Sequence, residues 1–218
     1  GLIDLEDKLN LENGEHTYFD RVMHDAERPR ANSVTLLEAF EESSNVGISK
    51  AIVAAYSKNP KKFTDGLHRL SFGSNYDLQI PGAGKAYIKN AGDDKWTGVS
   101  LPFISIGYES LITPLQTLTL YNAVANNGIM VKPMFVSEIR EKGKTIKTFD
   151  TEIINPAIVK HETIVKARTL LEGVVKNGTA KNLNSLFYPV AGKAGTARIA
   201  KGKGYGKSRN EITYQASF

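Results

Sequence analysis

The sequence predicts an α+β fold, and three observations carry that prediction. Apolar residues recur at helical spacing in several stretches before residue 128. Two strand-like runs follow at 134–140 and 145–149, joined across Lys142-Gly143 as a hairpin. A β-leaning run with glycine on both sides of a lysine then occupies 189–200. Residues of about 32–128 are expected to be mainly helical with a long site-lining loop. Residues of about 129–218 are expected to form the sheet, with one helix at 162–177.

Taken in order, residues 1–31 are polar and weakly patterned, which suits turns and short strands. Asn32-Ser33 is expected to cap a helix in which Val34, Leu37 and Phe40 share a face. Glu41-Glu42-Ser43-Ser44-Asn45 interrupts it, and a second helix follows with Val46, Ile52, Val53 and Ala54 on its apolar side. By itself the Ser-Ser-Asn run says only that a capped turn stands between two helices. Pro60 opens a third helix, with Phe63, Leu67 and Leu70 at i, i+4 and i+7. From 72 to 110 Gly, Pro, Asn and Asp break every period, and so long an irregular stretch suits the lining of a site. Tyr87 and Trp96 are its expected packing anchors. Thr113-Pro114 starts another helix, with threonine at the N-cap and proline at N1. Leu115, Leu118, Asn122 and Ala125 make its expected buried face, with Val124 beside them, and Asn127-Gly128 ends it.

Two stretches fit Lys-x-Gly-Thr-Ala, and they differ in setting. Ile164, Ala167, Leu171 and Val174 recur at helical spacing before Lys176-Asn177-Gly178-Thr179-Ala180. Gly178 therefore falls where a left-handed, helix-ending glycine belongs, and Lys176 sits in a last turn that suits a cation. That copy reads as punctuation. The second, Lys193-Ala194-Gly195-Thr196-Ala197, lies on a predicted strand, where glycine removes side chains that would hold off an approaching backbone. Lys193 there sets a positive charge on a rigid wall. A further strand is expected at 211–218.

Composition narrows the function classes. The chain has no cysteine, which excludes disulfides, thiolate catalysis and Cys-ligated metals. His16, His24, His68 and His161 are far apart and show no metal-ligand spacing, so no metal or other cofactor is expected. The net charge of +5 is spread along the chain except at Lys201-Gly202-Lys203-Gly204-Tyr205-Gly206-Lys207-Ser208-Arg209. A Gly-rich basic run of this kind reads as a solvated hairpin loop, and no nucleic-acid-binding motif accompanies it. No apolar run approaches the roughly 20 residues needed to span a bilayer.

Three features stand in a telling order: Ser43-Ser44-Asn45 at a helix junction, Thr113-Pro114-Leu115-Gln116 opening an apolar helix, and Lys193-Ala194-Gly195-Thr196-Ala197 on a strand. Together they resemble the transpeptidase domain of penicillin-binding proteins, whose corresponding motif set is Ser-x-x-Lys, Ser-Asp-Asn and Lys-Thr-Gly, with Ser44 at the variable middle position of the second. The run from Ser105 to Gln116 resembles the class B branch, and Gly107-Tyr108 leans toward its division-type members. The resemblance covers nearly the whole chain. It implies a penicillin-binding/β-lactamase-like fold, an antiparallel sheet with an all-α subdomain. It also implies D,D-transpeptidation: serine acyl transfer on D-Ala-D-Ala stem peptides of peptidoglycan, inhibited by β-lactams. Ser43 matches the serine that relays protons around the nucleophile. Asn45 matches the asparagine that holds substrate and the catalytic lysine. Lys193 matches the strand lysine that supplies positive potential, a role that gains weight where water is excluded. Gly195 keeps the strand edge open to an acyl-amide, and Thr196 matches the hydroxyl that binds a carboxylate. Ala194 departs from the usual hydroxyl residue.

A larger departure is an absence. No serine of the chain has lysine three residues on, although that pair is the heart of the family's mechanism. The chain is therefore expected to be a piece of a transpeptidase domain, truncated at both ends and inactive alone. The parent is expected at the extracytoplasmic face of the bacterial inner membrane, anchored by an N-terminal helix absent here. Divisome proteins are possible partners of the parent, and self-association is expected of the piece. Alternatives are a non-catalytic peptide- or partner-binding homologue, or a β-lactamase or β-lactam sensor domain; the class B run argues against the last two.

Overall fold

The computed structural model describes residues 2–197, 200–201, 204–205 and 212–217, with side chains through Gly195. Most of the basic run at 201–209 lies outside the described residues.

In chain order the elements are β1 (Lys8–Asn10), β2 (Glu15–Tyr18), β3 (Arg21–His24), β4 (Ser33–Thr35), α1 (Leu36–Glu41), α2 (Asn45–Tyr56) and α3 (Pro60–Arg69). Then come β5 (Tyr87–Ile88), α4 (Ser100–Ile104), β6 (Ser110–Leu111), α5 (Pro114–Ala125), β7 (Met130–Val131), β8 (Glu138–Glu141), β9 (Lys144–Thr148) and β10 (Ile153–Asn155). Last are α6 (His161–Lys176), β11 (Gly192–Ala197), β12 (Ala200–Lys201), β13 (Gly204–Tyr205) and β14 (Ile212–Ser217). The fold is α+β, and among the described residues every strand pairing is antiparallel. The chain divides into two compact units, Gly1–Ala51 with Lys166–Phe218, and Ile52–Val165.

In the first unit, β1 pairs with β4 so that Leu9 faces Val34. That pairing moves the expected helix start. Val34 is taken by the strand, and Thr35 rather than Asn32-Ser33 caps α1. The hydroxyl of Thr35 accepts from the Glu38 amide at 3.1 Å, and the Glu38 carboxylate accepts from the Thr35 amide at 2.6 Å. This reciprocal capping box satisfies two donors at once, which a lone Asn-Ser pair cannot match. Leu11, Val34 and Ala39 form a buried cluster with Leu9 against it. α2 packs so closely here that a Cβ on Gly47 would strike Ala39 and Leu11. Its buried side is Val46, Gly47, Ser49 and Ala51, while Ala54 is exposed, contrary to expectation. A second cluster joins Val174, Val175 and Ala180 to Phe40, Leu183 and Val190. β11 pairs with β14, placing Lys193 opposite Ala216 and Thr196 opposite Thr213.

In the second unit α3 begins with Pro60 in its first turn, as expected. Thr113 and Gln116 close a capping box on α5, with Pro114 at its start. The buried face of α5, however, is Gln116, Thr119, Ala123 and Val124, and Leu118 is 56% exposed. Apolar spacing misplaced that face because its polar members are satisfied internally. Gln116 donates to the Ser74 carbonyl at 2.7 Å, and Thr119 donates to the Leu115 carbonyl at 2.8 Å. The irregular stretch contains α4 and the short β5. Tyr87, opposite Leu111 in the β5–β6 pair, is 46% exposed, whereas Lys89 is buried and bonds Glu109 at 2.7 Å and Ser100 at 3.0 Å. The β8–β9 hairpin turns at Lys142 and Gly143, both at positive φ, but β8 begins only at Glu138. Two positive-φ residues match the right-handed twist of a tight hairpin.

Candidate active site

The site is built in the first unit, where α1 ends and α2 begins. Ser43 lies in the turn with φ of 57°, a left-handed conformation costly for a residue with a Cβ. Its amide donates to the Phe40 carbonyl at 3.1 Å. The next turn is held from outside by Asp25. One carboxylate oxygen of Asp25 accepts from the Ser44 hydroxyl at 2.9 Å, and the other accepts from the Val46 amide at 2.9 Å. Ser44 in turn accepts from the Gly47 amide at 2.9 Å. Together these groups satisfy amides that α2 leaves open at its N-terminus. Burial pushes the Asp25 carboxyl above the usual carboxylate range, against those hydrogen bonds.

Lys193 reaches Ser43 from β11. Its ammonium donates to the Ser43 hydroxyl oxygen and to the Ala194 carbonyl, the latter at 3.0 Å, across 150 residues of sequence in the first case. The Phe40 ring lies 5.5 Å away and offers its face to the cation. No carboxylate partners the ammonium in these contacts, and burial lowers its pKa from 10.5 to about 8. An amine with that value exchanges protons near neutral pH, as a general acid or base must. Ser43 thus touches Lys193 on one side and an adjoining cavity on the other. That cavity has a volume of about 400 Å³ and is lined by Asp25, Arg28, Ser43, Ser44, Thr179 and Ala194, among others.

Asn45 follows Ser43 by two residues and opens α2, and its side-chain amide donates to the His24 carbonyl at 2.9 Å. Gly195 is exposed on β11, leaving its backbone approachable. Thr196 pairs with Thr213 through its backbone, and its side chain lies outside what the structure describes. Among the described residues no cluster of three His, Asp or Glu side chains is arranged to hold a metal ion.

The stretch at 176–180 is more than punctuation. Lys176 does end a helix, pairing with Glu172 at 2.7 Å. Gly178, though, is absent from the positive-φ residues, so it is not a left-handed cap. Glycine is needed there for space: a Cβ would collide with the backbone carbonyl of Glu41. The Thr179 amide donates to that carbonyl at 3.1 Å, and Asn177 donates to the Glu41 carboxylate at 3.0 Å. The Thr179 hydroxyl then comes within 3.3 Å of the Ser43 hydroxyl. Asp25 and Glu41 carried no sequence signal for this site, and Thr179 was read with its Lys-x-Gly-Thr-Ala copy as the end of a helix.

The model of the penicillin binding protein transpeptidase domain matches residues 1–218. A probable peptidoglycan D,D-transpeptidase, PbpC, of Pseudomonas aeruginosa is 27% identical over 94% of this chain and 33% of its own length. Penicillin-binding protein PbpB of Mycobacterium tuberculosis is 26% identical over 81% of this chain and 26% of its own length. The crystal structure of penicillin-binding protein 3 from that species, complexed with aztreonam, aligns over 100% of this chain and 49% of its own, with 24% identity and a TM-score of 0.83. The chain thus spans about a third or less of the curated relatives and about half of the crystallised one. By the match over all 218 residues, it belongs to the penicillin-binding protein transpeptidase domain family.

Proposed function

We propose that this chain forms part of the acyl-transfer site of a peptidoglycan D,D-transpeptidase, and that the serine nucleophile lies in a part of the parent protein outside residues 1–218. The observation that carries this reading is the Lys193–Ser43 hydrogen bond, which joins the two motifs that the resemblance assigns to proton relay and positive potential. The nucleophile is placed outside because no serine here has lysine at i+3. In this reading the parent serine attacks the carbonyl of the penultimate D-Ala of a stem peptide and expels the terminal D-Ala. An acceptor amine then attacks the resulting ester and restores the serine. Ser43 and Lys193 shuttle the proton from the attacking group to the leaving amine. Asn45 and Gly195 hold the acyl chain, and the Thr196 hydroxyl and the Lys193 charge hold the carboxylate of the terminal D-Ala before it leaves. β-Lactams would enter as mimics of the same substrate. The run at 105–116 favours a division role, with divisome partners at the extracytoplasmic face of the membrane.

The test uses the full-length parent and a fluorescent penicillin. Ser43→Ala and Lys193→Ala are each expected to slow labelling about a hundredfold or more, the scale of a lost acid–base group. Labelling at the wild-type rate in both variants would overturn the assignment. A wild-type parent that takes up no label would point instead to a non-catalytic peptide-binding homologue.

A further inference from the structure

Ammonium groups only donate hydrogen bonds, and this fixes the direction of the Ser43 hydroxyl. While Lys193 is charged it donates to the Ser43 oxygen, so the Ser43 hydrogen must point to another acceptor. The acceptor at hand is the Thr179 hydroxyl, 3.3 Å away. Thr179 is not there by chance of a mobile rotamer alone, because its backbone is fixed. Its amide is tied to the Glu41 carbonyl at 3.1 Å, and Gly178 admits that carbonyl where any Cβ would exclude it. The neighbouring Asn177 is tied to the Glu41 carboxylate, and Glu41 lies only two residues before Ser43. One short segment therefore holds both hydroxyls, and Thr179 opens onto the same cavity as Ser43.

We propose that Thr179 is a positioning residue, whose hydroxyl accepts the Ser43 hydrogen and so aims a Ser43 lone pair at Lys193. The proposal rests on the acyl-transfer reading above. It gives the first Lys-x-Gly-Thr-Ala copy a role: its glycine and threonine serve the site, while its lysine does not. Without the Thr179 hydroxyl, the Ser43 hydrogen loses its fixed acceptor and samples rotamers that turn the lone pair away from Lys193. The loss should fall on the chemical step rather than on binding, since Thr179 acts through Ser43.

The test compares Thr179→Val, Thr179→Ala and Thr179→Ser in the full-length parent, reading acylation by a fluorescent penicillin as a saturating rate and a half-saturating concentration. Loss of one neutral hydrogen bond is worth roughly a two- to tenfold change. Thr179→Val and Thr179→Ala are expected to lower the saturating rate about five- to tenfold with the half-saturating concentration and the melting temperature unchanged. Thr179→Ser, which keeps the hydroxyl, is expected to stay within about twofold of wild type. Wild-type rates in both Val and Ala variants would overturn the proposal, as would an equal loss in all three or a loss in Val alone. A wild-type parent that is not labelled at all would defeat the underlying acyl-transfer reading instead, so the two failures are distinct.

Discussion

The carboxylate of Asp25 holds the first turn of α2 by the Val46 amide, at 2.9 Å, and does so while its own pKa is raised by burial. A carboxyl whose pKa is raised on folding binds its proton more tightly in the native state. Its stabilising share is then full at acid pH and is lost as pH rises through the folded value. Asp25→Asn is expected to remove that falling limb from a plot of unfolding free energy against pH. Asp25→Ala, which loses both cap bonds, is expected to cost about 1–2 kcal/mol at neutral pH by denaturant titration.

Lys193 gives the opposite slope. Its pKa falls from 10.5 to about 8 on burial, so the unfolded chain binds the proton more tightly. The stabilising share is present above the unfolded value and is lost as pH falls through the folded one. Stability is expected to rise between pH 8 and 10.5, by about 3.5 kcal/mol at most given roughly 1.4 kcal/mol per unit. Lys193→Met is expected to show no such rise; an unchanged slope in that variant would remove Lys193 as its source.

Gly178→Ala tests the contact with Glu41. Because Gly178 is not at positive φ, alanine meets no backbone strain there, only the Glu41 carbonyl. The expected loss is about 1–3 kcal/mol, the usual range for overpacking. A loss below 0.5 kcal/mol by chemical denaturation would mean that the Glu41–Thr179 junction is looser than described.

The Lys89–Glu109 pair should respond unequally to its two halves. Their side chains are 11% and 27% exposed, so Lys89 is the more deeply placed. Glu109→Gln leaves a buried ammonium without its counter-charge and is expected to cost about 2–3 kcal/mol. Lys89→Met leaves a carboxylate that water can reach, and is expected to cost about 1 kcal/mol or less. Equal losses would argue against burial as the controlling factor.

How far the sequence foretold these features depends on the kind of interaction. Thr113-Pro114 and Gln116 announced α5 because a capping box is local, complete within four residues. The true start of α1 needed β1, since only the pairing of Leu9 with Val34 removes Val34 from the helix. The buried face of α5 escaped periodicity because Gln116 and Thr119 bury polar atoms whose partners, Ser74 among them, are not visible in a hydropathy pattern. Ser43 and Lys193 were legible through motif resemblance alone. Thr179 was hidden by its own local context, where a helix end explains glycine well enough until the Glu41 backbone is seen against it.

The nucleophile can be identified by mapping its covalent adduct. The full-length parent would be incubated with a penicillin, digested, and its adducted peptide located by mass spectrometry. The expected adduct is on a serine outside residues 1–218 that is followed three residues later by lysine, with no adduct on the 218-residue chain alone. A penicilloyl group on Ser43, or on any other serine within these residues, would contradict the account and make Ser43 a nucleophile rather than a relay.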